Sequence, residues 1–223
     1  MSRNLESIDV GARRKRRNPR PPGCQAQDGA SLLTENFNGL TVGALNGQAS
    51  WSGSALFLVQ TGTVQEGANA CAASGVTADV ACTKTFTATS GIAASWYMRS
   101  PTPLSGSLLQ ISIDSNLGAH EFQFDFGGAT GAELRFFNRS GGTWDAIQAA
   151  SANTWYLVQV DIRSGAGTGT NSLYDICVDN IRQVLGISPR SGFVTASAIR
   201  LYRNYTATGD PGFIDNILVT NET

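Results

Sequence analysis

From about residue 54 onward, short runs of alternating apolar and polar residues follow one another, broken roughly every 8 to 15 positions by turn chemistry. The clearest alternations cover residues 94–99, 108–114, 120–126, 133–138, 155–163, 173–179, 199–204 and 213–219. Between them fall segments such as Gly-Gly-Ala-Thr-Gly, Ser-Gly-Gly and Thr-Gly-Asp-Pro-Gly, whose glycines and short polar side chains suit turns. No segment keeps a 3.6-residue period over a dozen residues, so the pattern predicts an all-β domain of two packed antiparallel sheets.

The alternation also predicts faces. In a strand, residues i and i+2 point the same way, so Leu109, Ile111 and Ile113 join Phe122, Phe124 and Phe126, with Tyr156, Val158, Val160 and Ile162, in a core. The opposite faces carry Gln110, Ser112 and Asp114, then Glu121, Gln123 and Asp125, then Arg135, then Gln159, Asp161 and Arg163. An antiparallel sheet ordinarily keeps one wet face, and mixed charges on it can pair across strands. A solvated outer face is therefore the first expectation, and a concave polar groove the second.

Composition divides the chain in two. Residues 1–30 have no apolar period and run through Asn18-Pro-Arg-Pro-Pro-Gly23, which reads as a disordered leader, leaving 31–223 as one domain large enough to bury a core. Arg3, Arg13, Arg14, Lys15, Arg16, Arg17 and Arg20 stand against Glu6 and Asp9 in the first 23 residues, a net +5 within a whole-chain charge of −1. A solvated tail or a non-native start is the first expectation for this run and an arm for nucleic acid or an anionic membrane the second, and any contact with nucleic acid is expected through it. Beyond it Lys84 is the sole lysine, and abundant Gly, Ser, Thr and Ala suggest a protein working outside the cell or on a cell or particle surface. No run approaches the ~18 to 20 apolar residues of a membrane span, and the N-terminus lacks the apolar core of a secretory signal. The cysteines, Cys24, Cys71, Cys82 and Cys177, form no C-x-x-C pair, which excludes the common zinc spacings. Cys71 and Cys82 could close a loop as a disulfide. Cys177 reads either as a small buried hydrophobe or as the partner of Cys24.

Two motifs add a resemblance. Glu35-Asn-Phe-Asn-Gly-Leu-Thr-Val-Gly-Ala-Leu-Asn-Gly-Gln-Ala-Ser-Trp51 and Gly212-Phe-Ile-Asp-Asn-Ile-Leu-Val219 resemble the opening and closing segments of concanavalin A-like lectin/glucanase jelly rolls, the LamG-like domains of extracellular bacterial proteins. The resemblance spans roughly residues 34 to 220 and implies a jelly-roll topology in which the first and last strands lie side by side. It also implies a structural Ca²⁺ where those strands meet, with Glu35 and Asp215 as the carboxylate ligands. The alternative for these two residues is capping of backbone amides at the closure.

The same resemblance implies sugar binding across the polar face. Glu121-Phe-Gln-Phe-Asp125 is similar to the E-x-D-x-E strand of the family's retaining glucanases, but Gln123 replaces the middle aspartate and Asp125 is one methylene shorter than the matching glutamate. Retaining hydrolysis needs two carboxyl groups about 5 to 5.5 Å apart, so hydrolysis is not expected. His120, the sole histidine, has no G-x-S-x-G partner motif and is read as structural. Sugar recognition calls for rings that stack on a pyranose and planar polar groups that take its hydroxyls. Trp144, Tyr202 and Tyr205 are the candidate rings, and Arg135 and Gln123 the candidate polar partners. The expected function is a non-catalytic, lectin-like carbohydrate-binding or adhesion module whose partner is a glycan or cell-surface polysaccharide. A self-assembling, coat-like structural jelly roll with a basic arm is the first alternative, and a divergent glycan-active hydrolase or lyase the second.

Overall fold

The computed structural model describes residues 29–73, 79–101, 106–115, 120–128, 133–138, 142–163, 173–187, 195–203 and 212–221. The leader with its arginine cluster, Cys24 and Tyr205 lie outside them. Every regular element described is a strand. The first six are β1 (Ser31–Glu35), β2 (Gly43–Ala44), β3 (Ser52–Gly53), β4 (Phe57–Gln60), β5 (Ala70–Ala73) and β6 (Val80–Thr89). There follow β7 (Ile92–Arg99), β8 (Gly106–Ser115), β9 (His120–Gly128), β10 (Glu133–Asn138) and β11 (Thr143–Ala149). The last five are β12 (Tyr156–Arg163), β13 (Leu173–Val178), β14 (Ile181–Ile187), β15 (Ala196–Arg203) and β16 (Gly212–Asn221). No helix among these residues is long and apolar enough to cross a membrane.

The strands form two antiparallel sheets, as the alternation predicts. One sheet of nine runs β14-β13-β12-β7-β16-β5-β4-β2 with β1 also on β16, and one of seven runs β11-β10-β9-β8-β15-β6-β3. The expected closure is present: β1 pairs with β16, placing Glu35 opposite Ile217. The two inner faces meet in one core, where every residue assigned to it from the alternation is buried, Tyr156 at 6 % exposure being the least so. Aromatic edges lock the layers together: Trp96 of the larger sheet meets Phe124 of the smaller at 5.9 Å and 78°, and Phe122 meets Tyr174 at 5.4 Å and 80°. Each such side chain contributes about 1.5 to 3 kcal/mol by leaving water.

Two expectations need correction, and of the two readings of Cys177 the bonded one holds. The polar residues read as one outer face are divided between two, because β12 lies in the nine-stranded sheet, where Gln159 stands beside Ser95 and Cys177. Cys71 and Cys82 do not close a loop. They are free, buried thiols on β5 and β6, in different sheets, and burial pushes the Cys82 thiol up to about 11 and that of Cys71 well above its ordinary value. Cys177 is more than a small hydrophobe: it is disulfide-bonded, to a partner outside the described residues.

Candidate functional site

The register of the seven-stranded sheet sets its outward polar side chains in rows, because directly opposed residues share a face. One row runs Thr83, Arg200, Ser112, Gln123 across β6, β15, β8 and β9. The next runs Ala81, Tyr202, Gln110, Asp125, Arg135, reaching β10. Over these rows lies a groove of about 350 Å³ floored by Gln110, Ser112 and Gln123, with Arg200 and Tyr202 on one side and Phe137 and Trp144 on the other. Its floor is largely withdrawn from the surface, with Asp125 next to it in the ladder. Gln110 is 3 %, Ser112 2 % and Asp125 0 % exposed, so the second expectation for this face, a groove, replaces the first.

Trp144 is placed by a hairpin. Gly142 takes φ 67° and donates its N–H to the Asn138 carbonyl at 2.8 Å, turning β10 into β11, and Asp145 accepts bonds from Asn138 Nδ2 and Thr143 Oγ1. The indole then stands edge-on to Phe137 at 5.3 Å, with the Arg135 guanidinium 5.1 Å from its centre. Arg135 in turn pairs with Asp125 at 2.7 Å. The groove's carboxylate is thus committed to holding Arg135, and Arg135 to bracing the indole. Across the groove, the Arg200 guanidinium lies 5.5 Å from the Tyr202 ring. Burial, then the hydrogen bond that the phenol donates to Asp79, raise the Tyr202 pKa above its ordinary value, against the opposing pull of Arg200.

Four of the residues chosen from the sequence, Gln123, Arg135, Trp144 and Tyr202, therefore converge. Gln110, Ser112, Phe137 and Arg200 line the same groove but were not singled out from the sequence. The alternation carried a signal for the last: Arg200 is two residues from Tyr202 and shares its face. His120 and Glu121 lie on β9, with His120 opposite Asp114, but their side chains fall outside the described residues.

Glu35 and Asp215 do occupy the closure, and their surroundings can be tested against a calcium ion. Glu35 accepts from the Phe37 amide at 2.9 Å, the Trp51 indole at 3.0 Å and the Lys84 ammonium at 2.8 Å. Asp215 accepts from the amides of Gln65, Glu66 and Asn216 at 3.1, 3.3 and 2.8 Å. Ca²⁺ takes six to eight oxygen ligands, whereas these oxygens are turned toward N–H donors and a cation. The donor set does not fit the ion, and among the described residues no group of three or more His, Cys, Asp or Glu is placed to hold a metal. Burial raises the Asp215 pKa despite its three amide bonds. A larger depression, about 500 Å³, lies beside this closure on the nine-stranded sheet, and its lining holds Glu35, Glu66 and Tyr97 but no basic side chain.

No protein-family model matches the chain, and no curated protein matches its sequence. Solved structures share its fold. The alginate lyase Aly36B superimposes with a TM-score of 0.58 at 13 % identity, over 87 % of this chain and 99 % of that one. The Emp47p carbohydrate recognition domain gives 0.55 at 12 % identity, over 86 % and 95 %. A sialidase gives 0.62 at 12 % identity over 86 % of this chain, which spans only 19 % of the sialidase. At these identities the likeness establishes the jelly-roll sandwich fold and nothing finer.

Proposed function

We propose that this protein is a non-catalytic, lectin-like module of LamG-like kind that binds glycans in the groove of the seven-stranded sheet, outside the cell or on a surface. The observation that carries the reading is the convergence of Trp144 and Tyr202 on either side of planar polar side chains in one groove. Braced rings stack on a pyranose with little loss of freedom, and the amides of Gln110 and Gln123 can both donate to and accept from its hydroxyls. Solved structures of the same fold that are named for sugar recognition or glycan cleavage lend support.

The described groove residues favour binding over turnover. Asp125, the carboxylate that a hydrolase would need beside Glu121, is buried against Arg135. Tyr202 is held protonated by burial and by Asp79, so its phenol can donate a proton but is a poor base near neutral pH.

Binding to an immobilised glycan panel tests the proposal, with Trp144→Ala beside the parent protein. A ring contact contributes about 1 kcal/mol, so the variant binds several-fold more weakly while its circular dichroism is unchanged. Absence of binding across the panel, with large particles in light scattering, would transfer the assignment to a coat-like assembly. Release of reducing or unsaturated sugar ends by the parent protein would transfer it to an enzyme.

A further inference from the structure

Most charged groups of the groove are already matched. Arg135 has Asp125, and Asp79 has the Tyr202 hydroxyl. Arg200 is different. Its guanidinium packs over the Tyr202 ring, yet among the described residues it has no ion pair and no side-chain hydrogen bond, and its Nε is buried without a partner. Directly opposite in the ladder stands Ser112, 2 % exposed, whose Oγ also lacks a partner. Both residues line the same groove.

A buried polar atom left unmatched is costly, and two of them on adjacent strands, in residues that line one cavity, describe the complement of a missing group. That group must accept hydrogen bonds from a planar cationic fork and a hydroxyl at once. It must also be anionic, because among the described residues the guanidinium has no counter-charge. A planar carboxylate meets all three requirements, since it accepts two parallel N–H bonds from a guanidinium and keeps lone pairs for a hydroxyl. Aromatic packing on Tyr202 fixes the plane of the fork in advance, which lowers the entropy lost on binding.

We infer that the groove selects uronic acid residues, with Arg200 and Ser112 receiving the sugar carboxylate while Trp144 supports the ring. This selectivity rests on the sugar-binding reading above and refines it. The depression on the other sheet has no basic side chain and offers no such complement.

Calorimetric titration tests the inference with short oligomers of galacturonate, glucuronate, mannuronate and guluronate, each against its carboxyl-reduced counterpart, and with a sulfated oligosaccharide that lacks uronic acid. At low salt at least one uronate oligomer binds roughly tenfold or more tighter than its reduced form, the span expected for hydrogen bonds to a charged group. In Arg200→Gln that gap closes, because the acidic oligomer loses far more affinity than its reduced form. Arg200→Lys, which keeps the charge but loses the fork, retains part of the gap. Ser112→Ala narrows it several-fold. Equal binding of acidic and reduced oligomers by the parent protein overturns the selectivity and leaves sugar binding standing. A gap that survives in Arg200→Gln, or equal affinity for the sulfated oligosaccharide, overturns the assignment of the carboxylate to Arg200. Binding of none of these oligomers, acidic or reduced, overturns the sugar-binding reading as well.

Discussion

Glu35 shows how a residue can sit where the sequence places it and do other work there. Its two oxygens collect the Phe37 amide, the Trp51 indole and Lys84, so one carboxylate ties the end of β1 to the first long loop and to β6 of the opposite sheet. Glu35→Gln turns an amide N–H₂ toward those donors and is expected to cost roughly 2 to 3 kcal/mol in chemical denaturation. The double variant with Lys84→Met should cost less than the sum of the single changes, because each single change strands the other charge. Asp215 carries a pH signature. Its folded pKa is raised above that of the free side chain, so the native state holds the proton more tightly than the unfolded chain. The stability this group contributes is complete below the unfolded pKa and is lost as pH rises through the folded value. The stability of the parent protein relative to Asp215→Asn should therefore fall with rising pH across that window. A rise would show that the three amide bonds outweigh burial. The position of these carboxylates was legible in the terminal motifs. Their capping of backbone amides was one of two readings left open, whereas the contact of Glu35 with a lysine 49 residues away was not legible, because no local pattern connects the two.

At the scale of elements, the hairpin of β10 and β11 bears most directly on the groove, since it alone presents Trp144. A Cβ at Gly142 would meet no atom within 4 Å, so its φ of 67° sets the cost of substitution. Gly142→Ala is expected to lose about 1 to 2 kcal/mol and to weaken glycan binding together with stability, whereas Trp144→Ala weakens binding out of proportion to its loss of stability. Thermal melts beside binding curves separate the two. Long strands such as β8, β9, β12 and β16 were visible in the alternation because one face of each is almost wholly apolar. β6 and β11 escaped it. The Val80–Thr89 strand is rich in threonine, and Thr143–Ala149, at a sheet edge, has no fully buried position. Alternation also reports only inside and outside. It carries no information on which sheet a strand joins, which is why Gln159 and Asp161 were grouped with the groove side chains although they lie on the far side of the sandwich.

For the molecule as a whole, the thiols offer a direct check on the packing. Cys71 and Cys82 are sealed in the core and held protonated, and Cys177 is bonded. The folded protein should resist iodoacetamide. Denatured without reductant it should take up the label at Cys71 and Cys82 but not at Cys177, and a labelled Cys177 would remove the cross-link. Another consequence follows from the place of β16. The last strand described, β16, lies inside the nine-stranded sheet, bonded to β7 on one flank and to β5 and β1 on the other. Until Asn221 has left the ribosome, the group β14-β13-β12-β7 cannot be joined to β5-β4-β2, and pairings so distant in sequence are slow to form. A nascent chain halted at residue 211 should accordingly be digested by protease at a rate close to that of the denatured protein. Folding of the sandwich waits for β16, and until then the polypeptide is a thread, the form in which a chain can be drawn through a narrow pore.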